Sequence, residues 1–346
     1  MSAQYCSRRA SAAPLSRSLW LGLTTLGTLA ISIATVALSG CGKTAAQDTV
    51  RYGYPSSGLS GPTGPIGWAL EKGTLQAALR TIGINHIVPL AGGTGPDLNE
   101  ACAAGTVDVF LTGDTPGIIG RAAGLPIELV DVDITEANNY LFTLKDGPKR
   151  IEDLAGKRVP VLQGTNQMHF VYGVLASKGI LNQVNFINLS SGATEPALIQ
   201  GDIAAATSAY GPLMVSRGYH VLAEAKDYPG LSGNSPVVAS ESFLKAHPGF
   251  VTVWNRVRAE AIADMNAHPD DYYTFLASRI KQPEAILRET YPLSLYRPEP
   301  VPSVVLGDLE SLKQFLVAQH IIHADFPIQS WIAPEAQSET PGLTQK

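Results

Sequence analysis

Hydroxyl and amide side chains recur in short stretches of the chain: Ser56-Ser57-Gly58, Thr94-Gly95, Thr112-Gly113-Asp114-Thr115, Thr165-Asn166-Gln167 and Tyr210. Each stands ahead of a segment patterned as a helix, and Pro65, Pro96 and Pro116 mark three of the openings. The start of a helix exposes unpaired N–H groups and the positive end of the helix dipole. Several such starts together bind an anion without a cationic side chain. No Lys or Arg occurs in 52–70, 91–119 or 163–176, so the donors on offer there are neutral. A cage of that kind suits an oxyanion or another small polar ligand. Taken singly, each residue is accounted for as a helix cap; taken as a set, they mark a ligand-facing edge. Asp114 could hold a donor on the ligand or bond backbone N–H groups of its own turn. His169 could face a ligand or be a satisfied core histidine.

Catalytic signatures are missing. Gly58-Leu59-Ser60-Gly61 runs into Pro62 and makes no nucleophile elbow. No H-E-x-x-H is present, and Gly93-Thr94-Gly95 has Leu98 where a dinucleotide fingerprint needs its third glycine. Gly42-Lys43-Thr44 has Ala37 where a phosphate loop needs its first glycine. Nothing pairs a nucleophile with a base. The three cysteines, Cys6, Cys41 and Cys102, and the scattered histidines have no zinc-like spacing. Neither a cofactor nor a metal is expected.

The elements that must carry these loops follow one design. Strands are expected at 50–54, 86–90, 107–111, 158–162, 185–189 and 204–208, each leading through a small-residue loop into a helix. Gly73, Gly105, Gly124 and Gly179 close four of those helices. Alternating strands and helices predict an α/β fold with parallel sheets, and ligands in such folds sit at the carboxyl ends of the strands. Helices are also expected at 251–267 and 308–319.

With 346 residues, 45% hydrophobic and 16% charged, the chain has enough apolar material for a large core, and two lobes are the natural division. The net charge is −5, so nucleic acid is not an expected partner. The first forty residues differ: Arg8, Arg9 and Arg17 stand without an acid, and 19–38 is uncharged. A basic start, an apolar middle and small residues before a break form a secretory signal. Its end, Leu38-Ser39-Gly40-Cys41, resembles a bacterial lipobox. The resemblance implies cleavage after residue 40 and acylation of Cys41, which would anchor the chain to a membrane surface. Residues 41–48 then read as a tether.

Four stretches resemble the substrate-binding proteins of ABC importers, in the group serving aliphatic sulfonates, taurine and nitrate. They are Asp108-Val109-Phe110-Leu111-Thr112-Gly113-Asp114-Thr115-Pro116; Ile151-Glu152-Asp153-Leu154-Ala155-Gly156-Lys157-Arg158-Val159; Gly201-Asp202-Ile203-Ala204-Ala205-Ala206; and Ser242-Phe243-Leu244-Lys245-Ala246-His247-Pro248 with Asn266-Ala267-His268-Pro269. The resemblance implies a two-lobed periplasmic-binding-protein fold of the Venus-flytrap type II kind. Lobe one would take 49–137 and 236–331 and lobe two 138–235, with crossings near 132–144 and 236–239 and a loose tail at 332–346. It further implies a monomeric, extracytoplasmic, lipid-anchored protein that is not an enzyme. Such a protein closes on a small anionic ligand and hands it to a permease and its ATPase. The ligand-binding residues expected are those named at the outset. Tyr210-Gly211-Pro212 stands where many relatives have Trp-Asp-Pro, which removes a partner for an amine and argues against taurine. Rival readings are nitrate, bicarbonate, a pyrimidine or an aromatic acid on the same scaffold, an extracellular enzyme using His169 and Asp114, or a sensor domain.

Overall fold

The structure is a computed structural model that describes residues 48–56 and 58–338. The expected signal segment, lipidation at Cys41, the tether up to residue 47, the proposed ligand contact Ser57 and the tail beyond 338 lie outside the described residues.

The first body of structure, lobe one, is built on β1 (Thr49–Pro55), β2 (His86–Gly92), β3 (Val109–Leu111), β4 (Ile127–Ala137) and β10 (Gly233–Ser240). These form one sheet in the order β2-β1-β3-β10-β4. The second, lobe two, carries β5 (Tyr140–Thr143), β8 (Ala206–Ser208) and β9 (His220–Glu224) in one sheet ordered β8-β5-β9. It also holds a separate pair, β6 (Arg158–Pro160) with β7 (Asn185–Ile187). The chain passes between the bodies twice, from Ala137 to Tyr140 and from Glu224 to Gly233.

Helices fill the connections. In lobe one they are α1 (Gly64–Glu71), α2 (Thr74–Arg80), α3 (Gly95–Ala103) and α4 (Asp114–Ala122). Lobe two has α5 (Asn166–Ser177), α6 (Ser191–Ile199) and α7 (Gly211–Ser216). After β10 the chain returns to lobe one with α8 (Glu241–Ala246), α9 (Phe250–Ala267), α10 (Pro269–Ile280), α11 (Glu284–Thr290), α12 (Ser303–Ala318) and α13 (Pro334–Ser338). The punctuation read from the sequence explains the boundaries. Gly124, at φ 86°, takes the left-handed turn that ends α4 without a Cβ penalty.

Strand–helix alternation predicts parallel sheets; the β6–β7 pair is parallel, but the five-stranded sheet is mixed and the three-stranded one antiparallel. β1 runs parallel to β2, with Thr49 opposite His86, and parallel to β3. β10, however, is antiparallel to both β3 and β4, and β5 is antiparallel to β8 and β9. The reason lies in the crossings: a strand that arrives from the other lobe enters its sheet from the opposite end.

Burial follows the strand and helix periods. On α9, Val251, Trp254, Val257, Arg258, Ala261, Ile262 and Met265 are all buried, a stripe at helical spacing. Strand β4 is buried on both faces at Leu129, Val130, Asp131, Val132 and Asp133. Its two aspartates point into that core, where Arg258 Nε stands 3.3 Å from Asp131 Oδ1 and Trp254 donates its indole N–H to Oδ2. Lobe two adds a small core of its own, made by Phe142, Leu198, Ile203, Ala206 and Met214.

The tail expected from residue 332 stays packed for several residues. Ile332 bridges to Leu129 of β4, the Ala333 N–H donates to the Leu129 carbonyl, and Ile332, Ala333 and Ala336 are buried. Apolar residues set against an unpaired sheet edge hold this segment, a contact that composition alone does not reveal.

Candidate functional site

A cleft of about 220 Å³ opens between the lobes. Lobe one lines it with Thr94, Gly95 and Gly113 from the loops before α3 and α4, beside Pro55, Gly93 and Pro116. Lobe two supplies Leu162, Thr165, Asn166 and Gln167 at the start of α5. Six of the expected ligand-binding residues therefore meet in one place. Their meeting follows from topology: β2, β3 and β6 lead to the gap at their carboxyl ends, and α3, α4 and α5 start there.

The others are placed differently. Ser56 donates its hydroxyl to the Gly92 carbonyl at 2.5 Å and so extends the β1–β2 edge. Gly58 is exposed in the loop and lines neither this cleft nor the neighbouring cavity. Thr112 is buried against Gly95. Tyr210 lines that neighbouring cavity of about 450 Å³ together with Phe142, Thr207, Ser208, Leu213, Met214 and Arg217 of lobe two and Gln282 of lobe one. Gln167 borders both spaces and joins them.

Asp114 and Thr115 are buried behind the cleft in a hydrogen-bond network. Asp114 Oδ1 accepts the Thr115 N–H at 2.7 Å, and Oδ2 accepts the Asn234 N–H at 2.7 Å. Burial pushes the Asp114 carboxyl up to about 6, and the bonds from Asn234 and Thr115 oppose that rise. Asn166 reaches over from lobe two: its Oδ1 accepts the same Thr115 N–H at 3.2 Å, and its Nδ2 donates to the Asn234 carbonyl at 3.1 Å. The side chain fits because Gly113 has none; a Cβ there would collide with the Asn166 amide. Asn234 in turn accepts the Glu136 N–H at 3.1 Å, so one residue ties both connecting strands.

Carboxylates thus stand close to the lobe-one helix starts and engage the Thr94 and Thr115 N–H groups. At α3, Asp97 accepts both the Thr94 N–H (2.6 Å) and the Thr94 hydroxyl (2.9 Å). At α1, the Asp133 carboxylate lies beside Gly64, whose Cβ, if present, would stand 2.5 Å from Oδ2. Burial drives Asp133 up to about 7, with Arg258 opposing and Asp131 adding to the rise. Lobe two differs. Its α5 is capped by neutral Thr165, which accepts the Met168 N–H at 3.4 Å and donates to the Leu162 carbonyl at 2.6 Å.

His169 is a core residue. Its ring centroid lies 4.9 Å from that of Phe315 on α12, and burial lowers its pKa to about 4, so it is neutral at pH 7. Tyr210 meets Tyr291 of lobe one edge to face at 6.2 Å, and burial raises its phenol above the ordinary value. Three residues around these spaces escaped sequence reasoning: Asn234, Arg217 and Gln282. Arg217 did leave a signal, since Tyr210, Leu213, Met214 and Arg217 recur at i, i+3, i+4 and i+7, one face of a helix.

Two lobes of open sheet, two strand passages and a cleft at the strand ends define a periplasmic-binding-protein fold. Solved structures agree. The periplasmic aliphatic sulphonate binding protein SsuA from Escherichia coli superposes with a TM-score of 0.67 at 19% identity, over 82% of this chain and 97% of that one. The desulfurization enzyme DSZB has the same fold, with a TM-score of 0.61 at 16% identity, over 84% of this chain and 97% of that one. In sequence, a Bacillus subtilis (strain 168) protein named for binding aliphatic sulfonates is 26% identical over 269 residues, 74% of this chain and 80% of that protein. The family described as NMT1/THI5 like matches residues 88–272, and the chain belongs to that family.

Proposed function

We propose that this protein is the extracytoplasmic solute-binding component of an ABC importer, capturing a small organic oxyanion of the alkanesulfonate type. The observation that carries the reading is the cleft itself. The start of α5 faces it, and the amide of Gln167 borders both it and a second, partly apolar cavity, so a ligand with a polar end and an organic body can occupy the two together. A bare inorganic anion such as nitrate would leave that second cavity unfilled; a sulfonate with an organic body uses both. Ligand would bind the loops of one lobe, and the other lobe would close over it, excluding water and strengthening each bond. The chain would act as a monomer held to the membrane by acylated Cys41 and would deliver its cargo to a permease driven by an ATPase. Lobe one would comprise 49–137 and 236–331, and lobe two 138–235, with 233–235 entering the lobe-one sheet as the first residues of β10.

Capture without conversion is supported by the two groups an enzyme reading would use. His169 packs on Phe315, and Asp114 is tied to backbone N–H groups, so neither is free to exchange protons with a substrate. Because DSZB is an enzyme on this fold, the decisive test follows the fate of the ligand. A thermal-shift panel of alkanesulfonates, sulfate, nitrate, bicarbonate and pyrimidines on the purified protein should give saturable stabilisation by a sulfonate. That sulfonate should be recovered unchanged by mass spectrometry. Stabilisation by cations alone, or a converted product, would overturn the reading.

A further inference from the structure

Among the described residues, Arg217 is the one cation that lines either the interlobe cleft or the cavity beside it. It ends α7, and its side chain is about half exposed (46%). Nη1 stands 3.1 Å from both carboxylate oxygens of Glu195, a residue of α6, and Glu195 Oε1 also accepts the Tyr219 hydroxyl at 2.9 Å. Tyr219 is fixed in turn by its ring packing at 5.2 Å on buried Phe142. The guanidinium is therefore aimed by a chain of contacts, yet it spends only one nitrogen on Glu195 and is open to solvent on its other side.

The rest of the α7 face completes the site. From the interlobe end outward it presents Tyr210, then Leu213 and Met214, then Arg217. Seven residues at the helical rise span roughly 10 Å. An aromatic and amide end, an apolar middle and a cationic end are thus set along one line.

From this arrangement we infer that Arg217 is the residue that recognises the anionic head of the ligand. The organic body lies on Leu213 and Met214, and the far end reaches Gln167 at the cleft between the lobes. This assignment rests on the solute-binding reading above and sharpens it. The Thr112–Thr115 turn, whose Thr115 N–H is engaged by both Asp114 and Asn166, ties the lobes together, and the head group is assigned to lobe two. The ligand class is an organic monoanion with a short apolar stem and an uncharged or donor-bearing far end. Glu195 sets the selectivity: it competes with the head group for Arg217, so only an acceptor that offers more than one oxygen to the guanidinium can share it.

The test uses titration calorimetry on the intact protein with hexane-1-sulfonate, methanesulfonate and hexan-1-ol as probes. Wild type should bind hexane-1-sulfonate more tightly than methanesulfonate and should not bind hexan-1-ol. Arg217→Gln should weaken hexane-1-sulfonate by about tenfold or more, the loss expected for one charge-assisted contact. Arg217→Lys should restore part of that loss, and Glu195→Gln should bind as tightly as wild type or tighter. Leu213→Trp, which fills the apolar middle without touching the charge, should weaken hexane-1-sulfonate and spare methanesulfonate. If wild type binds hexane-1-sulfonate and Arg217→Gln binds it equally well, the assignment is overturned while the solute-binding reading stands. If wild type binds no anionic probe, both fall.

Discussion

The same strand–loop–helix unit builds both lobes, yet the helix starts end up in different chemical states. In lobe one the two starts that line the cleft each have a carboxylate in reach, Asp97 at α3 and Asp114 at α4, and the α1 start has Asp133 beside it. In lobe two, α5 is capped by a threonine hydroxyl, and α6 and α7 carry no acid in their first turn. A helix dipole already neutralised by an internal carboxylate has little left for an external anion. One lobe therefore uses its helix starts for cohesion, and the other keeps them for cargo. Counting helix starts overstates an anion site unless the acids that reach them from elsewhere in the chain are counted too.

The contrast is most exposed at Asp114. Its replacement by alanine leaves the Asn234 N–H without its acceptor in a buried setting and the Thr115 N–H with only the longer Asn166 contact, which should cost about 1–3 kcal/mol. Urea unfolding measures this directly. A loss under about 1 kcal/mol would mean that the start of α4 does not depend on its carboxylate, and the difference between the lobes would dissolve.

A second probe is pH. Asp133 binds its proton more tightly folded, at about 7, than as an unfolded aspartate. Its contribution to stability is therefore full below the unfolded pKa and is lost as pH rises towards 7. Asp114 acts with the same sign, while His169, depressed to about 4, acts with the opposite sign as pH falls through its window. The groups that act on Asp133 or feel its charge are Asp131, Arg258, Tyr52, Tyr272 and Tyr296. The melting temperature should fall between pH 5 and pH 8, and Asp133→Asn should flatten that fall by several degrees. An unchanged slope in the variant would place the titration elsewhere.

The smallest expected effect is at Asp97. Removing the carboxylate with Asp97→Ala should cost about 1 kcal/mol as a lost helix cap. It should also raise the affinity of the cleft for anions, because a negative charge leaves its rim. Weaker anion binding in that variant would show that lobe one contributes to capture after all.

Much of this was legible in the residues. Glycine and proline punctuation placed the helices, since a left-handed turn at Gly124 or a fixed φ at Pro116 is a local requirement that no tertiary contact supplies. The gathering of Thr94, Gly113 and Asn166 at one edge followed from strand–helix alternation. What stayed hidden was long-range. Asp133 lies far along the chain from the α1 start it faces, and nothing near Gly64 announces it. Strand direction at the crossings depends on which lobe the chain is leaving. Arg217 was readable only once the period after Tyr210 was taken as helical, and a short apolar run there gives weak warning.

Asn234 has one further consequence. It accepts from Glu136 and donates to Asp114, both in the first lobe, while only its carbonyl is held by Asn166 from the second. A parting of the two halves can keep the first two links of Asn234 and give up, among its hydrogen bonds, only the one to Asn166. Each such link is worth about 1 kcal/mol net. One asparagine thus sits at the fulcrum, and a single opposing amide is its polar tie across the gap.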